Sequence, residues 1–406
     1  MTNEEKSKRI DEIIDRGIIR EILPSREEFK KALLERNLKF YIGADPTGTS
    51  LHLSHAKNFM LLEEFRQLGH EVYILFGDFT ACIGDPTDKT SARARLTREE
   101  ARKNAEHWIE NIAPLINMND KENPTHIVFN SEWIDKLTPE DMIELLSHAT
   151  VGQLLVRDMF QKRMEENKPI FMHEFIYPML QGFDSVALDI DVEMCGTDQI
   201  FNALVGRDLL KKYKNKEKFI VANNLMENPI DGSLMSKSNG TGVFLGTTAN
   251  KMFEDIMNQP DEMIEILLIN NTRVPIETIK ELDIKNNPRG AKLFTTREIT
   301  KIFHSEEDVK KAEESFLSVS KTGLPKDMTI FNLSKNNLDI NIVDLLIMTS
   351  IVSSKSEARR LIEQNGISLN REKVSSIDQI VTANDLNDNS LILQKGKKVF
   401  LKVVFE

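Results

Sequence analysis

The sequence has 406 residues, 40% of them hydrophobic and 29% charged, which is typical of a soluble globular protein with room for two or three domains. No segment approaches the roughly 18 apolar residues of a membrane span. The N-terminal residues 1–6 are charged and precede no apolar stretch, so we expect a cytoplasmic protein without a membrane partner. The two cysteines, Cys82 and Cys195, lie far apart without a metal-ligand spacing, so we expect neither a disulfide scaffold nor a metal site.

The net charge of −11 argues against nucleic-acid binding by the chain as a whole, because phosphate contacts require clustered lysine and arginine. Its distribution is uneven. Residues 331–406 contain 10 Lys plus Arg and 9 Asp plus Glu, a net of +1, so the other residues carry −12. The C-terminal part is therefore the place where we expect RNA contacts.

The first part of the chain predicts a parallel sheet. Residues 39–44 read as a buried strand, a Pro/Gly loop follows, and a helical run closed by Gly69 leads to a second strand at 72–76. Further strands are predicted at 126–129, 186–192 and 218–222, with helices between them. This order predicts an α/β fold with a doubly wound parallel, Rossmann-like catalytic domain over residues 1–230.

The pattern then becomes helical, with runs at 250–258, 261–270 and 288–316. We assign residues 231–317 to a loop and an α-helical domain. Residues 318–337 are polar, contain Gly and Pro, and are predicted to be a linker. Residues 338–406 restart with a helix, a turn at 353–356, a second helix and short strands, which predicts a small α+β domain.

Three motifs carry the chemistry. His52-Leu53-Ser54-His55 lies where the first loop enters its helix, so backbone N–H groups and imidazole donors would face an anion together. Leu234-Met235-Ser236-Lys237-Ser238 follows about 180 residues later, between glycines that allow a mobile loop. Tyr177, Gln181 and Asp184 are spaced i, i+4 and i+7, so on a helix they share one face and can converge on one small molecule.

Together these motifs resemble the bacterial tyrosyl-tRNA synthetases, class I aminoacyl-tRNA synthetases, of the subtype whose lysine loop reads KMSKS. The resemblance covers nearly the whole chain. It implies activation of L-tyrosine by ATP with Mg²⁺, without a tightly bound cofactor, and transfer of tyrosine to tRNA(Tyr). Tyr41 and Asp184 are expected to hydrogen-bond the phenolic hydroxyl, Tyr177, Gln181 and Asp85 to hold the α-ammonium group, and Gln199 to lie near the substrate carboxylate.

The same resemblance implies the phosphate and nucleotide contacts. His52, His55, Lys237, Lys89 and Arg93 are the expected catalytic residues. The expected ATP-binding residues are Gly43, Asp45, Thr47, His52, Ser54, His55, Gly196, Asp198, Met235, Ser236 and Lys237. Two positions depart from the family pattern, since Ser54 stands where glycine is usual and Leu234 replaces the first lysine of the loop.

The C-terminal part resembles a small RNA-binding module shared with a ribosomal protein. Lys355, Arg359 and Arg360 would form one basic helical face, with Lys395, Lys397 and Lys398 beside it, and the expected tRNA-binding residues are Lys355, Arg359, Arg360 and Lys397. The family resemblance also implies a homodimer, in which a helix from Thr150 to Arg163 faces the partner.

The sequence leaves three alternatives. A tryptophanyl-tRNA synthetase shares the fold but has a different pocket helix and lacks the C-terminal module. A catalytically impaired RNA-binding relative is suggested by Ser54 and Leu234, although Lys237 and the pocket residues argue against it. A small nucleotidyltransferase also has an H-x-x-H loop, but it would need neither the helical domain nor the C-terminal module.

Overall fold

The computed structural model describes residues 2–85, 96–235, 242–322, 328–387, 389–396 and 399–406. They form two compact units, one up to Val309 and one from Lys310 onward. In the described part of the chain, no helix has both the length and the apolar character needed to cross a membrane.

The first unit contains a six-stranded sheet in the order β1-β6-β5-β2-β3-β4, in which β1 alone is antiparallel to its neighbour. The strands are β1 (Ile19–Leu23), β2 (Lys39–Ala44), β3 (Glu71–Phe76), β4 (His126–Phe129), β5 (Val192–Gly196) and β6 (Phe219–Asn223). The strand order reverses between β2 and β5, where an open α/β sheet forms its ligand crevice. The prediction of a doubly wound parallel sheet is confirmed, whereas β1 was not predicted.

The predicted strand at 186–192 is wrong. Residues up to Leu188 belong to a helix, which ends at Asp189 in the left-handed conformation with φ 52°. The strand begins only at Val192. A short apolar run has no distinct helix or strand periodicity. The sequence therefore did not separate the buried end of this helix from the buried start of the next strand.

Ten helices are described before residue 215: α1 (Asn3–Asp15), α2 (Arg26–Glu35), α3 (Leu53–Gln67), α4 (Arg98–Ile112), α5 (Ser131–Ile134), α6 (Pro139–Ser147), α7 (Val151–Leu155), α8 (Asp158–Glu165), α9 (Met172–Leu188) and α10 (Ile200–Lys214). The single helix expected from Thr150 to Arg163 is therefore two helices. The break occurs because Arg157 has an extended backbone, with ψ 133°, and its guanidinium packs over the Phe201 ring at 4.7 Å.

The helices after the lysine loop are α11 (Ala249–Met257), α12 (Met263–Asn271), α13 (Ile276–Glu281), α14 (Pro288–Phe303) and α15 (Glu306–Thr322). The run expected at 288–316 is broken because His304 is extended and Ser305 accepts a hydrogen bond from the Asp308 N–H, which begins a new helix. Met252 and Ile299 pack in the same hydrophobic core as Phe40 of the sheet. The boundary between the catalytic and helical domains at residue 230 stays a prediction.

The second unit has its own core and a five-stranded sheet in the order β10-β9-β12-β13-β7, with β8 paired to β11 beside it. Its elements are β7 (Thr329–Leu333), β8 (Ile340–Asn341), α16 (Ile342–Met348), α17 (Lys355–Glu363), β9 (Ile367–Leu369), β10 (Glu372–Lys373), β11 (Ile380–Val381), β12 (Ser390–Lys395) and β13 (Val399–Phe405). The α+β prediction is confirmed. However, β7 lies inside the segment predicted as linker 318–337, because it pairs in parallel with β13, a partner about 70 residues later.

Candidate active site

The sheet topology brings two loops to one edge. Strands β2 and β5 are parallel neighbours, so the loop after Ala44 and the turn after Gly196 leave the same carboxyl end of the sheet. The first loop carries Asp45 and Thr47 and enters α3 after His52, while the second enters α10 after Gln199. Helix α9 supplies the third side of the crevice.

Asp45 joins the loop to the pocket helix. The Tyr177 hydroxyl donates to Asp45 Oδ2 at 2.9 Å, and the Thr80 hydroxyl donates to Oδ1 at 2.7 Å. Burial raises the pKa of Asp45 to about 7, and these two hydrogen bonds oppose that rise. A Cβ built on Gly77 would lie 2.0 Å from Asp45 Oδ1, so only glycine allows the carboxylate into this position. The contact with Tyr177 links Asp45, which we expected among the ATP ligands, to the expected tyrosine ligands.

A second network connects the other expected tyrosine ligands. Gln199 Nε2 donates to Asp85 Oδ2 at 2.9 Å. Asn202 Nδ2 donates to Gln199 Oε1 at 2.9 Å and to Gln181 Oε1 at 2.8 Å. The buried Asn202 was missed by sequence reasoning. Its only signal was its place one helical turn after Gln199, which puts both side chains on one face of the helix start.

Asp184 and Tyr41 are both buried, as recognition of a phenol requires, but each already has another partner. Trp133 Nε1 donates to Asp184 Oδ1 at 2.8 Å, and the Tyr41 hydroxyl lies 3.1 Å from Ser185 Oγ. Burial raises the pKa of Asp184 well above its usual range, and the Trp133 hydrogen bond opposes it. Burial also raises the pKa of Tyr41, and the charges of Glu193 and Asp184 add to the effect.

The two histidines form the start of α3. The His52 backbone N–H donates to His55 Nδ1 at 3.3 Å, and the two rings lie 4.0 Å apart. Burial lowers the pKa of His52 to about 4 and that of His55 to about 3. Both imidazoles are therefore neutral near pH 7. Since His55 Nδ1 accepts a hydrogen bond, its proton is on Nε2, which remains a donor.

Ser54 lies between these histidines. Its Oγ and His52 Nδ1 are buried polar atoms without a hydrogen-bond partner among the residues that the structure describes. Buried polar groups are nearly always paired, so unpaired ones at a cleft indicate contacts made by a ligand. Nearby, a Cβ on Gly196 would lie 2.3 Å from Asp198 Oδ1, so glycine is required beside the expected ribose ligand.

Lys57 was not singled out in the sequence. Its ammonium is buried and donates to Asn224 Oδ1 at 2.5 Å and to the Asn224 carbonyl. Burial lowers the pKa of Lys57 to about 8, and the charge of Asp198 opposes this. These contacts connect the first turn of α3 with the segment that leads to the lysine loop.

Other expected ligands have simpler placements. Gly43 lies in β2, the Thr47 N–H donates to the Asp45 carbonyl at 2.8 Å, and Met235 is buried. Five expected site residues lie outside the described residues, so their roles stay predictions: Lys89, Arg93, Ser236, Lys237 and Lys397. The neighbouring Lys398 lies outside them as well.

The second unit presents the basic helix face that the sequence predicted. Lys355, Arg359 and Arg360 are exposed on α17, where the i, i+4 spacing places Lys355 and Arg359 on one face and Arg360 follows at its side. Lys355 is 2.7 Å from Asp344 Oδ1, and Lys395 is 2.8 Å from Glu357 Oε1. The Lys355–Asp344 pair is exposed and such pairs are weak, so Lys355 can exchange Asp344 for a phosphate at small cost.

Comparisons with known proteins agree with this geometry. Residues 33–319 match the family described as tRNA synthetases class I (W and Y), and residues 321–403 match the tyrosine–tRNA ligase SYY-like C-terminal domain. The tyrosine–tRNA ligase of Carboxydothermus hydrogenoformans is 40% identical, over 98% of each chain. That of Thermotoga maritima is 37% identical, over 99% of this chain and 98% of its own.

A solved structure supports the fold alone, because its sequence identity is low. The C-terminally truncated mitochondrial tyrosyl-tRNA synthetase of Aspergillus nidulans has a TM-score of 0.66 at 20% identity, over 78% of this chain and 99% of its own. The full-length relatives do not favour tryptophanyl-tRNA synthetase or the impaired relative. The chain belongs to the tyrosine–tRNA ligases, a family of class I aminoacyl-tRNA synthetases.

Proposed function

We propose that this crevice activates L-tyrosine with ATP and that the enzyme then esterifies tRNA(Tyr). The observation that carries the proposal is a pair of hydrogen-bonded networks beside the buried Asp184. One joins Asp45 to Tyr177, and the other joins Asp85, Gln199, Asn202 and Gln181. Together they provide a carboxylate for an ammonium group and a second, buried carboxyl for a phenol within one crevice.

At the tyrosine end, Asp85, Tyr177 and Gln181 hold the α-ammonium group, and Gln199 lies near the carboxylate. Asp184 and Tyr41 bind the phenolic hydroxyl. Burial makes the charged form of Asp184 costly, and a phenolic O–H that donates to it lowers that cost. Phenylalanine has no such donor, so it would leave a buried polar group unpaired.

At the nucleotide end, a carboxylate oxygen of tyrosine attacks the α-phosphorus of ATP. The bond from that phosphorus to the bridging oxygen breaks, and pyrophosphate leaves with the electron pair. His52 and His55 act as neutral donors rather than as cations, since burial keeps their pKa values low. The nucleotide site is lined by Gly43, Asp45, Thr47, Ser54, Gly196, Asp198, Met235 and Ser236. The departing pyrophosphate is neutralised by Lys89, Arg93 and Lys237.

ATP enters as its Mg²⁺ complex in this proposal. In the second step, a hydroxyl of the terminal ribose of tRNA attacks the carbonyl carbon of tyrosyl-adenylate, and AMP leaves. The basic face of Lys355, Arg359 and Arg360, with Lys397, holds the tRNA backbone. The reaction takes place in the cytoplasm.

The active form is proposed to be a homodimer. Several large apolar side chains between residues 143 and 172 are exposed, among them Ile143 at 70%, Val156 at 66% and Met172 at 76%. Large apolar side chains exposed in one stretch of the chain are typical of a subunit interface. Sedimentation of the purified chain tests this part of the proposal.

Amino-acid-dependent exchange of pyrophosphate into ATP tests the activation step. At low enzyme concentration, we expect exchange with tyrosine and none above background with the other nineteen amino acids. Exchange driven by tryptophan, or by no amino acid, would overturn the proposal.

Truncation after Thr322 tests the assignment of the second unit. A cut at residue 338 would leave β7 without β13, so the earlier boundary is cleaner. We expect tyrosine-dependent exchange to persist and tRNA charging to fall strongly. The triple variant Lys355→Ala/Arg359→Ala/Arg360→Ala should weaken charging and reduce its salt dependence, whereas Lys373→Ala, an exposed lysine on β10, should not. Unaltered charging by the triple variant would remove this face from the tRNA site.

A further inference from the structure

A buried polar cluster lies behind Tyr41 and has no part in the reaction as described above. It consists of Ser185, Glu193 and Lys218, which are 0%, 2% and 1% exposed. The register of β2 and β5 pairs Tyr41 with Glu193, so both side chains project from the same face of the sheet. Helices α9 and α10 contribute Ser185 and Gly206 above them.

In this cluster, the direction of the hydrogen bond between Lys218 and Ser185 is fixed by chemistry. Lys218 Nζ donates to Ser185 Oγ at 2.7 Å and contacts Glu193 Oε2 in a tight ion pair. An ammonium group has three donors and no acceptor, so Ser185 Oγ must accept from it. The single Ser185 proton then has two candidate acceptors, Tyr41 Oη at 3.1 Å and Glu193 Oε2 at 3.4 Å. The shorter contact is to Tyr41.

The direction of the Ser185 hydrogen bond decides where the Tyr41 hydroxyl can donate its own proton. When Ser185 donates to Tyr41 Oη, the Tyr41 O–H is free to donate to another oxygen. The Tyr41 proton has two competing acceptors inside the cluster: Ser185 Oγ, which can accept a second hydrogen bond, and Glu193, whose charge and hydrogen bond help to raise the pKa of Tyr41. Lys218 weakens both competitors, since it donates to Ser185 Oγ and neutralises the charge of Glu193.

Gly206 leaves room for the Lys218 ammonium group beside Ser185, because glycine has no side chain. A Cβ built on Gly206 would lie 2.6 Å from Lys218 Nζ and 3.0 Å from Ser185 Oγ. Any larger residue at this position would displace the ammonium group from Ser185. The close approach of α10 to α9 at Gly206 and Gly182 thus makes space for a buried charge as well as for helix packing.

We infer that Lys218 is a positioning residue for substrate recognition, which directs the Tyr41 hydroxyl through Ser185 so that it donates to the phenolic oxygen of tyrosine. The inference rests on the proposed function, in which Tyr41 and Asp184 bind the phenol. The complete chain of donors runs from Lys218 to Ser185, to Tyr41, to the phenol and finally to Asp184. Each hydroxyl in it accepts one hydrogen bond and donates one, an arrangement in which neighbouring bonds strengthen each other.

The test removes the donor without leaving a buried charge unpaired. Replacing Lys218 alone would strand Glu193 and destabilise the fold, so the informative variant is Lys218→Met/Glu193→Met. We expect its KM for tyrosine in pyrophosphate exchange to rise about five- to tenfold, with kcat within twofold of the parent. The activity with phenylalanine, measured as kcat/KM at high enzyme concentration, should stay unchanged, because phenylalanine has no oxygen for Tyr41 to contact.

Ser185→Ala provides a second, smaller change in case the double variant does not fold. It should raise the tyrosine KM about fivefold, and the triple variant with all three replacements should be no worse than the double variant, since all lie on one chain of donors. Restoring an uncharged donor, in Lys218→Gln/Glu193→Met, should recover part of the tyrosine affinity.

The outcomes separate this inference from the proposed function. If Asp184→Asn lowers tyrosine selectivity but neither Ser185→Ala nor the double variant does, the role of Lys218 is refuted while the phenol site stands. Equal losses for tyrosine and phenylalanine would likewise refute it, because they would indicate a general disturbance of the pocket. If the parent protein fails to exchange pyrophosphate with tyrosine at all, the proposed function itself is wrong.

Discussion

The two ends of the crevice differ in how their polar groups are satisfied. At the tyrosine end, the four expected ligands Asp85, Gln181, Asp184 and Gln199 each have a hydrogen-bond partner from another part of the chain, and only Asn202 Oδ1 between them has none among the described residues. At the nucleotide end, Ser54 Oγ and His52 Nδ1 are buried without one among the described residues.

This difference implies two ways of binding. Tyrosine must replace hydrogen bonds that the pocket residues already make to one another. A substrate that lacks one polar group therefore leaves a buried protein group unpaired, which costs binding free energy. The nucleotide adds hydrogen bonds to atoms that have no partner among the described residues, so it gains affinity more than selectivity. Substitutions at the tyrosine end should therefore change which amino acid reacts. Substitutions at the nucleotide end should change the affinity for ATP or the rate of adenylate formation.

The largest effect is expected for Lys237→Ala, on the nucleotide side. The lysine charge meets the phosphates mainly as the transition state develops, so adenylate formation should slow roughly 10²- to 10³-fold, as for the loss of one preorganised donor. Tyrosine affinity should change less than twofold. Pre-steady-state kinetics measures both quantities. Lys251→Ala, an exposed lysine on α11, is the control, and an unchanged activation rate in Lys237→Ala would remove that residue from the mechanism.

Asp184→Asn should give the next largest effect, at the opposite end. The amide oxygen can still accept from Trp133, but the negative charge that favours the phenolic donor is lost. Losing a hydrogen bond to a charged group costs about 2–3 kcal/mol, so kcat/KM for tyrosine should fall roughly 30- to 150-fold. The KM for ATP should stay near that of the parent. Equal tyrosine-over-phenylalanine selectivity in variant and parent would contradict the assignment.

The sequence predicted correctly which residues share a face where helix or strand periodicity alone decides this. Tyr177, Gln181 and Asp184 share a helix face because the α-helical repeat places i, i+4 and i+7 together, and α9 has that geometry. The position of β2 also followed from a buried apolar run with loop signals after it. Local pattern did not separate the end of α9 from the start of β5, since both are apolar and buried.

The partners of these residues could not be predicted, because they come from distant segments without a local signal. Trp133 reaches Asp184 across 51 residues, and Ser185 reaches Tyr41 across 144. Lys218 appeared to be an ordinary residue at the start of a strand, yet its ammonium is buried beside Glu193. Such contacts are set by sheet register and helix packing, which single-sequence reasoning does not supply.

The partly buried histidines make the nucleotide end sensitive to acid. Burial holds the pKa of His55 at about 3, below its ordinary value of 6.5, so the unfolded chain binds the proton more readily. The stability that neutral His55 contributes is present above pH 6.5 and is lost as the pH falls toward 3. His55→Asn should reduce the loss of unfolding free energy between pH 6.5 and pH 5 by roughly 1.5 kcal/mol.

Urea denaturation at several pH values measures this effect. His107→Asn is a suitable control, because His107 is half-exposed on α4 and outside the crevice. A parallel loss of stability with pH in the parent and in His55→Asn would show that His55 is not buried as a neutral group.

The smallest effects come from one matched pair of substitutions, Ser54→Ala and Ser185→Ala, which compares the two ends directly. Each removes a single buried hydroxyl, and a hydrogen bond of this kind contributes about 1 kcal/mol, or about fivefold in binding. Ser54 Oγ has no partner among the described residues, so Ser54→Ala should raise the KM for ATP about fivefold and leave the KM for tyrosine unchanged. Ser185 is paired with Lys218 and Tyr41, so Ser185→Ala should do the reverse. If both variants shifted the same KM, the division of the crevice into a prepaired tyrosine end and an unpaired nucleotide end would be wrong.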